Sequence, residues 1–316
     1  MKKILIFSLV VVFLVGCATT PSLAPTTPPT QPPAPTAAIP ATEIPEPTAT
    51  TPPPATQAPE PTALPTLTII QPEFGMVLIP GGEFVMGCDP QHNGGLGCPQ
   101  DELPLHTVTL SDFYIDMYEV TNIQYAECVA ADGCQPPMSS SSELVQSYFG
   151  YPDYDYYPVV HVSWLDAADY CTWAGKRLPT EAEWEKAARG SAAISYPWGD
   201  DEPTCALTNY QSAGTTGLCS GDTNPVGSHP LGASEFGIED MAGNVWEWVS
   251  DWYGETYYQT SPGENPPGPE GTTYRVLRGG GWTSAPIHLR ISSRAYDPDF
   301  HNASDVGFRC ASDTGD

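Results

Sequence analysis

The chain has 316 residues, with 38 Asp and Glu against 11 Lys and Arg, and a formal net charge of −27. A polyanion of this strength is repelled by nucleic acid and by anionic lipid headgroups, which excludes both as partners. The 36 prolines and nine cysteines are more than an ordinary reduced cytosolic domain carries, and they direct attention to an extended segment and to an exported, oxidised one.

Residues 1–17 read as an export signal. Lys2 and Lys3 form a basic start, and Ile4 to Val15 form an apolar run shorter than a transmembrane helix needs. Leu14-Val15-Gly16-Cys17 matches a bacterial lipobox, so Cys17 is expected to be lipidated and to become the mature N-terminus. Ala18 is not the Asp that retains lipoproteins at an inner membrane. The expected location is the cell envelope, lipid-anchored and facing outside the cytoplasm. From Ala18 to residue 67 the chain is mostly Pro, Thr and Ala with a few Glu. It has too little apolar bulk to offset the entropy of ordering, and proline favours polyproline II. About 50 residues at ~3.1 Å each give a stalk with a reach on the order of 150 Å.

The remaining residues, 68–316, are expected to form one domain. Met76-Val-Leu-Ile79 and Phe84-Val-Met86 predict two strands around the Pro80-Gly-Gly82 turn, and His106–Leu110 and Phe113–Met117 predict two more. Thr121-Asn-Ile-Gln124 is a capping box that opens a helix, with Gly133 as its stop. Ser163-Trp-Leu-Asp166 opens a second helix, whose stripe of Trp164, Ala167, Cys171 and Ala174 ends at Gly175. Thr180-Glu-Ala-Glu183 opens a third that closes at Gly190, with acids in its first turn and Lys186 and Arg189 in its last, as the helix dipole favours. Beyond Gly190 the periodicity fades into turn residues and short aromatic runs such as Tyr196-Pro-Trp198 and Trp246-Glu-Trp248. An irregular α+β fold braced by disulfides is the expectation.

Beyond the stalk, 35 acidic residues face nine basic ones, which leaves about −26 on the domain. The nine bases cluster in two places: Lys176, Arg177, Lys186 and Arg189, then Arg275, Arg278, Arg290, Arg294 and Arg309. Such clustering suits internal Arg–carboxylate pairs better than a solubilising surface. With Cys17 set aside, eight cysteines remain, and no Cys-x-x-Cys pair suggests zinc. Proximity in sequence pairs Cys88 with Cys98, Cys128 with Cys134 and Cys205 with Cys219, which leaves Cys171 and Cys310.

Several blocks occur in order: Glu119-Val-Thr-Asn122, Pro158-Val-Val-His-Val-Ser-Trp164, Lys176-Arg-Leu-Pro-Thr-Glu-Ala-Glu-Trp184, Tyr196-Pro-Trp-Gly199, Gly243-Asn-Val-Trp-Glu-Trp248, Arg278-Gly-Gly-Gly-Trp282 and Gly307-Phe-Arg309. Together they resemble the formylglycine-generating enzyme, or sulfatase-modifying factor, family from about Gly75 to Ala311. The resemblance implies an irregular α+β fold related to C-type lectins, and it supports the Cys171–Cys310 bridge.

Members that make formylglycine use two cysteines, five residues apart, to bind Cu(I), as soft sulfur suits that ion. Counted from Trp282, those positions fall here on Ser284 and Leu289, and Gly281 replaces the serine of the Gly-Gly-Ser block. Leu cannot ligate copper, so copper and formylglycine formation are not expected. An oxidase with altered ligands, or another enzyme of the family, is the alternative. Relatives that use iron draw their histidines from a helical domain that has no counterpart here, and the six histidines show no His-x-x-x-His spacing. Ser284 and His288 lack the nucleophile elbow that a hydrolase needs.

The resemblance instead implies calcium, held by Asp240 and Glu247 and the carbonyls of Gly243 and Val245, a hard-donor set. A second site would involve Asn209 and Tyr210, for which Asp222 is the nearest downstream acid. Exported relatives of this fold that bind ligands do so with the stretch between Gly-Gly-x-Trp and Gly-Phe-Arg. The expected recognition surface here is Trp282, Ser284, His288, Arg290, Tyr296, Asp297 and Asp299, and its partner would be a peptide, protein or glycan. The functional expectation is a non-catalytic, calcium-braced ligand-binding module.

Overall fold

Three helices begin at the three capping boxes. Helix α1 spans Asn122–Ala130, and the Thr121 N–H donates to Gln124 Oε1 at 2.9 Å. Helix α2 spans Trp164–Trp173, with Ser163 and Asp166 exchanging side-chain and backbone bonds. Helix α3 spans Glu181–Arg189: Thr180 Oγ1 accepts from the Glu183 N–H at 3.1 Å, and the Thr180 N–H donates to Glu183 Oε2 at 2.8 Å. Gly190, at φ 66°, ends it. These reciprocal bonds satisfy N–H groups that a helix start otherwise leaves open.

The computed structural model describes residues 74–211 and 217–315. The expected signal, Cys17 and the stalk lie outside the described residues. A compact unit spans Thr66–Asp316. Strands β1 (Met76–Ile79), β2 (Gly82–Met86), β3 (His106–Leu110) and β4 (Phe113–Asp116) fall where the sequence predicts strands, β2 starting two residues earlier and β4 ending one sooner. Five more strands lie in the region that shows no regular period: β5 (Trp246–Trp252), β6 (Arg275–Arg278), β7 (Ala295–Asp297), β8 (Val306–Phe308) and β9 (Ala311–Ser312). The sheets run β1-β4-β9, β2-β3 and β7-β6-β5-β8. All pairs are antiparallel except β5 with β8. No helix among the described residues is long and apolar enough to cross a membrane.

Two cores hold these layers together. Trp184 of α3 centres the first, against Phe84, Val108, Ile115, Val249 and Val276. Trp248 of β5 and Phe308 of β8 centre the second, under α1 and α2, where Cys171 and Cys310 also lie. All four expected disulfides are present: Cys88–Cys98, Cys128–Cys134, Cys171–Cys310 and Cys205–Cys219.

The clustered bases are buried, except Lys176, Arg177 and Arg275, which are half-buried. Seven of the nine form ion pairs with carboxylates: Lys176, Arg177, Arg189, Arg278, Arg290, Arg294 and Arg309. Lys186 donates to the Gly82 carbonyl at 2.9 Å, and Arg275 lies between the rings of Trp164 and Trp252. Every residue of α3 is buried. Its acids therefore do more than complement the dipole: Glu181 binds Arg294 and Arg278, and Glu185 binds Arg278 and Arg189. The pairs with Arg278 and Arg294 tie the helix to β6 and to the segment that follows it.

Candidate recognition and metal sites

The chain leaves β6 through Gly279 and Gly280, at φ 89° and 77°. Trp282 turns inward, donating its backbone N–H to the Asn244 carbonyl at 2.8 Å and its indole N–H to the Ser304 carbonyl at 3.2 Å. The buried Ser284 hydroxyl accepts from the Gly281 N–H at 2.9 Å, and its carbonyl accepts from the Gln211 N–H. Leu289 is sealed among Tyr196, Tyr210 and Ala242. The two positions on which the family's cysteine pair is expected to fall, Ser284 and Leu289, thus hold a hydroxyl that closes a turn and an apolar plug.

Arg290 departs from the surface role expected of it. It is buried and grips Glu102 with two bonds, of 2.8 and 2.6 Å. A desolvated guanidinium finds its best partner in a carboxylate that matches its planar fork. Trp282, Ser284 and Arg290 therefore support the segment from within. His288 stays exposed, with its ring 5.9 Å from that of Trp246. Tyr296 is exposed on β7, Asp297 is half-buried beside His301 at 3.7 Å, and the Asp299 carbonyl accepts from the Trp164 N–H at 3.1 Å. The structure adds residues that sequence reading missed. Tyr253 stacks on Tyr296 with centroids 4.0 Å apart, and Tyr274 tilts against it at 5.2 Å. The only sequence signal was the short run Tyr274-Arg-Val-Leu-Arg278, and nothing local points to Tyr253, which joins Tyr274 through the bond from its N–H to the Tyr274 carbonyl at 2.7 Å.

The second set of expected residues surrounds the turn before β5. Gly243 has φ 81°, and a Cβ there would strike Thr208 and the Asn209 backbone, so only glycine lets the chains approach. Asp240, Glu247 and Glu119 are all buried. Glu247 is fully engaged: Arg309 donates to both its oxygens at 2.7 and 2.8 Å, and the Trp184 indole donates at 2.8 Å. Glu119 accepts from the Asn244 amide at 2.6 Å and from the Val245 N–H at 3.1 Å. Asp240 accepts from the Gly227 N–H at 2.8 Å.

Burial raises the pKa of Glu119 well above the usual carboxylate range, and the charges of Asp240 and Glu247 add to this. Burial raises that of Asp240 too. Three carboxylates thus share one guanidinium. Glu247, one of the carboxylates expected to hold calcium, is committed to Arg309, while Asp240 keeps the hydrogen bond from Gly227.

Asn209 belongs to a connected polar chain. Its amide donates to the Asp222 carbonyl at 2.8 Å and to Asn244 Oδ1 at 3.3 Å, and its Oδ1 accepts from Ser220 at 2.8 Å. The Tyr210 hydroxyl donates to the Pro203 carbonyl at 2.6 Å. The Asp222 carboxylate accepts from the Ser142 hydroxyl and from the Leu144 and Thr223 N–H groups. Among the described residues, no group of three or more His, Cys, Asp or Glu side chains is arranged to hold a metal by side chains alone.

Comparison with known proteins places this geometry among relatives. The model of the sulfatase-modifying factor enzyme 1-like domain matches residues 65–314. The chain is 41% identical over 249 residues to serine/threonine-protein kinase pkn1 of Chlamydia pneumoniae, covering 75% of this chain but only 37% of that protein. It is 37% identical over 287 residues to the formylglycine-generating enzyme of Streptomyces coelicolor, covering 76% of this chain and 89% of the enzyme. Among solved structures, PvdO from Pseudomonas aeruginosa superposes with a TM-score of 0.63 at 30% identity, over 76% of this chain and 94% of PvdO.

Proposed function

The chain belongs to the sulfatase-modifying factor family, and from that premise we propose that it is a ligand-binding module and not an oxidase. The observation that carries this reading is the state of two positions: Ser284 holds a turn, and Leu289 is buried in an apolar cluster. Neither offers the thiolate that Cu(I) chemistry requires. Kinase activity does not transfer from pkn1, of which this chain spans 37%. Fold and family membership carry no activity without the site.

The module is held at the cell envelope by a lipid on Cys17 and a proline-rich stalk, so its recognition face works at a distance from the membrane. His288, Tyr296, Asp297 and Asp299 form the solvent side of that face, and Trp282, Ser284 and Arg290 fix their backbone. Calcium braces the turn through Asp240, Gly243 and Val245. The test has two arms. A sulfatase-derived Cys-x-Pro-x-Arg peptide incubated with the protein and copper gives no aldehyde by mass spectrometry. A peptide and glycan array shows retention that is lost in Tyr296→Ala and His288→Ala. Aldehyde formation would establish the oxidase reading in its place.

A further inference from the structure

Strand β7 is the outermost strand of its sheet and pairs with β6. Successive side chains of a strand point to opposite faces, and at this edge the alternation separates two chemistries. On one face lie Tyr296, Tyr253 and Tyr274, with Tyr296 46% and Tyr274 39% exposed. On the other, Asp297 stands opposite Arg275 in the ladder; burial lowers the pKa of that arginine, and the charges of Asp299 and Asp251 oppose this. The Arg275 guanidinium is clamped between Trp164 and Trp252, 3.5 Å from each ring. One ring from this sheet, Trp252, and one from α2, Trp164, therefore already accept a guanidinium.

The rest of the molecule determines the sign of the partner. Because seven of the domain's nine Lys and Arg are neutralised by ion pairs, almost nothing cationic offsets its surplus of acids at the surface. We infer that the β7 edge binds an extended Arg- or Lys-rich peptide. The peptide runs beside Ala295–Asp297, with alternate side chains over the tyrosine rings and against Asp297 and Asp299. The inference rests on the binding-module reading above and names the chemistry of its ligand. Ring faces attract cations, and the acidic field speeds the encounter. A neutral glycan gains from the rings and can hydrogen-bond the carboxylates but lacks the charge attraction, and an acidic peptide is repelled.

The test uses the full chain in detergent and fluorescein-labelled deca-arginine, with deca-glutamate and cellohexaose as contrasting probes. Deca-arginine is expected to bind, and affinity to fall about tenfold in Tyr296→Ala and in the pair Asp297→Asn/Asp299→Asn, as loss of desolvated contacts implies. Tyr296→Phe keeps the ring and retains binding. A charge-matched pair on another loop, Asp201→Asn/Glu202→Gln, has a smaller effect. Equal losses in the edge and control pairs would reduce the effect to the overall field and overturn the inference. Cellohexaose bound in a Tyr296-dependent way would also overturn it, but would leave the binding-module reading standing. If no probe and no member of a peptide and glycan array is retained, both fail. Melting curves that match the parent chain certify that each variant is folded.

Discussion

At the scale of single residues, the chain places charge where water cannot reach it. Arg290 and Glu102 are both buried and doubly bonded, and the Ser292 hydroxyl donates to the same carboxylate at 2.8 Å. Removing one partner leaves the other charge buried alone, so Arg290→Gln is expected to cost about 3–5 kcal/mol in denaturant unfolding. A loss under about 1 kcal/mol would mean that the pair is open to water. Asp251 is a different case. Its Oδ2 accepts from the Glu181 N–H at 2.8 Å and from the Ser250 hydroxyl at 3.0 Å. Burial, and then the charge of Glu181, push its carboxyl up to about 7 from 3.8. Between those values the unfolded chain has lost a proton that the folded chain keeps, so this group lowers stability as pH rises from about 4 to 7. Glu181 acts in another window. Burial opposes its ionisation, but Arg294 and Arg278 prevail and hold its pKa below the ordinary value. Its contribution is present above that value and disappears only in stronger acid. Asp251→Asn keeps the acceptor and removes the charge. It should flatten melting temperature against pH from 4 to 7 and raise it at pH 8; an unchanged profile would show that Asp251 is ionised throughout.

At the scale of elements, what is local in energy is what the sequence reveals. The capping boxes at Thr121, Ser163 and Thr180 depend on residues three apart, and each helix starts there. Thr180→Ala removes the acceptor for the Glu183 N–H and should cost about 1 kcal/mol by thermal melting, while Thr180→Ser should cost little. Strands β1 to β4 lie in short apolar runs that the sequence shows, but their pairing is not local: β1 takes β4 across the whole of β2 and β3. Strands β5 to β9 are stabilised by distant partners: β5 takes β8 in parallel, and β9 returns to β4 from the far end of the chain. Short strands of this kind have no sequence period of their own. The candidate site divides in the same way. The loss of both cysteines and the exposure of Tyr296 follow from order and composition. The burial of Arg290 does not, because Glu102 lies 188 residues away, and Tyr253 joins the site only through sheet pairing.

At the scale of the whole molecule, long covalent and ionic links offset a modest regular scaffold. Cys171 and Cys310 close a loop of 139 residues, which constrains the unfolded chain by about 5 kcal/mol on the loop-entropy model. The double variant Cys171→Ala/Cys310→Ala should unfold at markedly lower denaturant, and a midpoint unmoved by the change would place the stability elsewhere. If calcium binds at Asp240, EDTA lowers the melting temperature of the parent chain and leaves that of Asp240→Asn unchanged. A cation at a hundred times its dissociation constant is worth about 2.7 kcal/mol. Equal EDTA effects on both proteins would remove Asp240 from the site.

The placement of β1 also has a mechanical meaning. Any pull delivered through the chain before residue 74 enters the domain at β1, which is registered against β4 from Met76 opposite Asp116 to Ile79 opposite Phe113. The β4 strand is next to Cys310, whose carbonyl takes the Asp116 N–H, and Cys310 is covalently tied to α2. Tension therefore meets a four-residue ladder first and a covalent stop behind it.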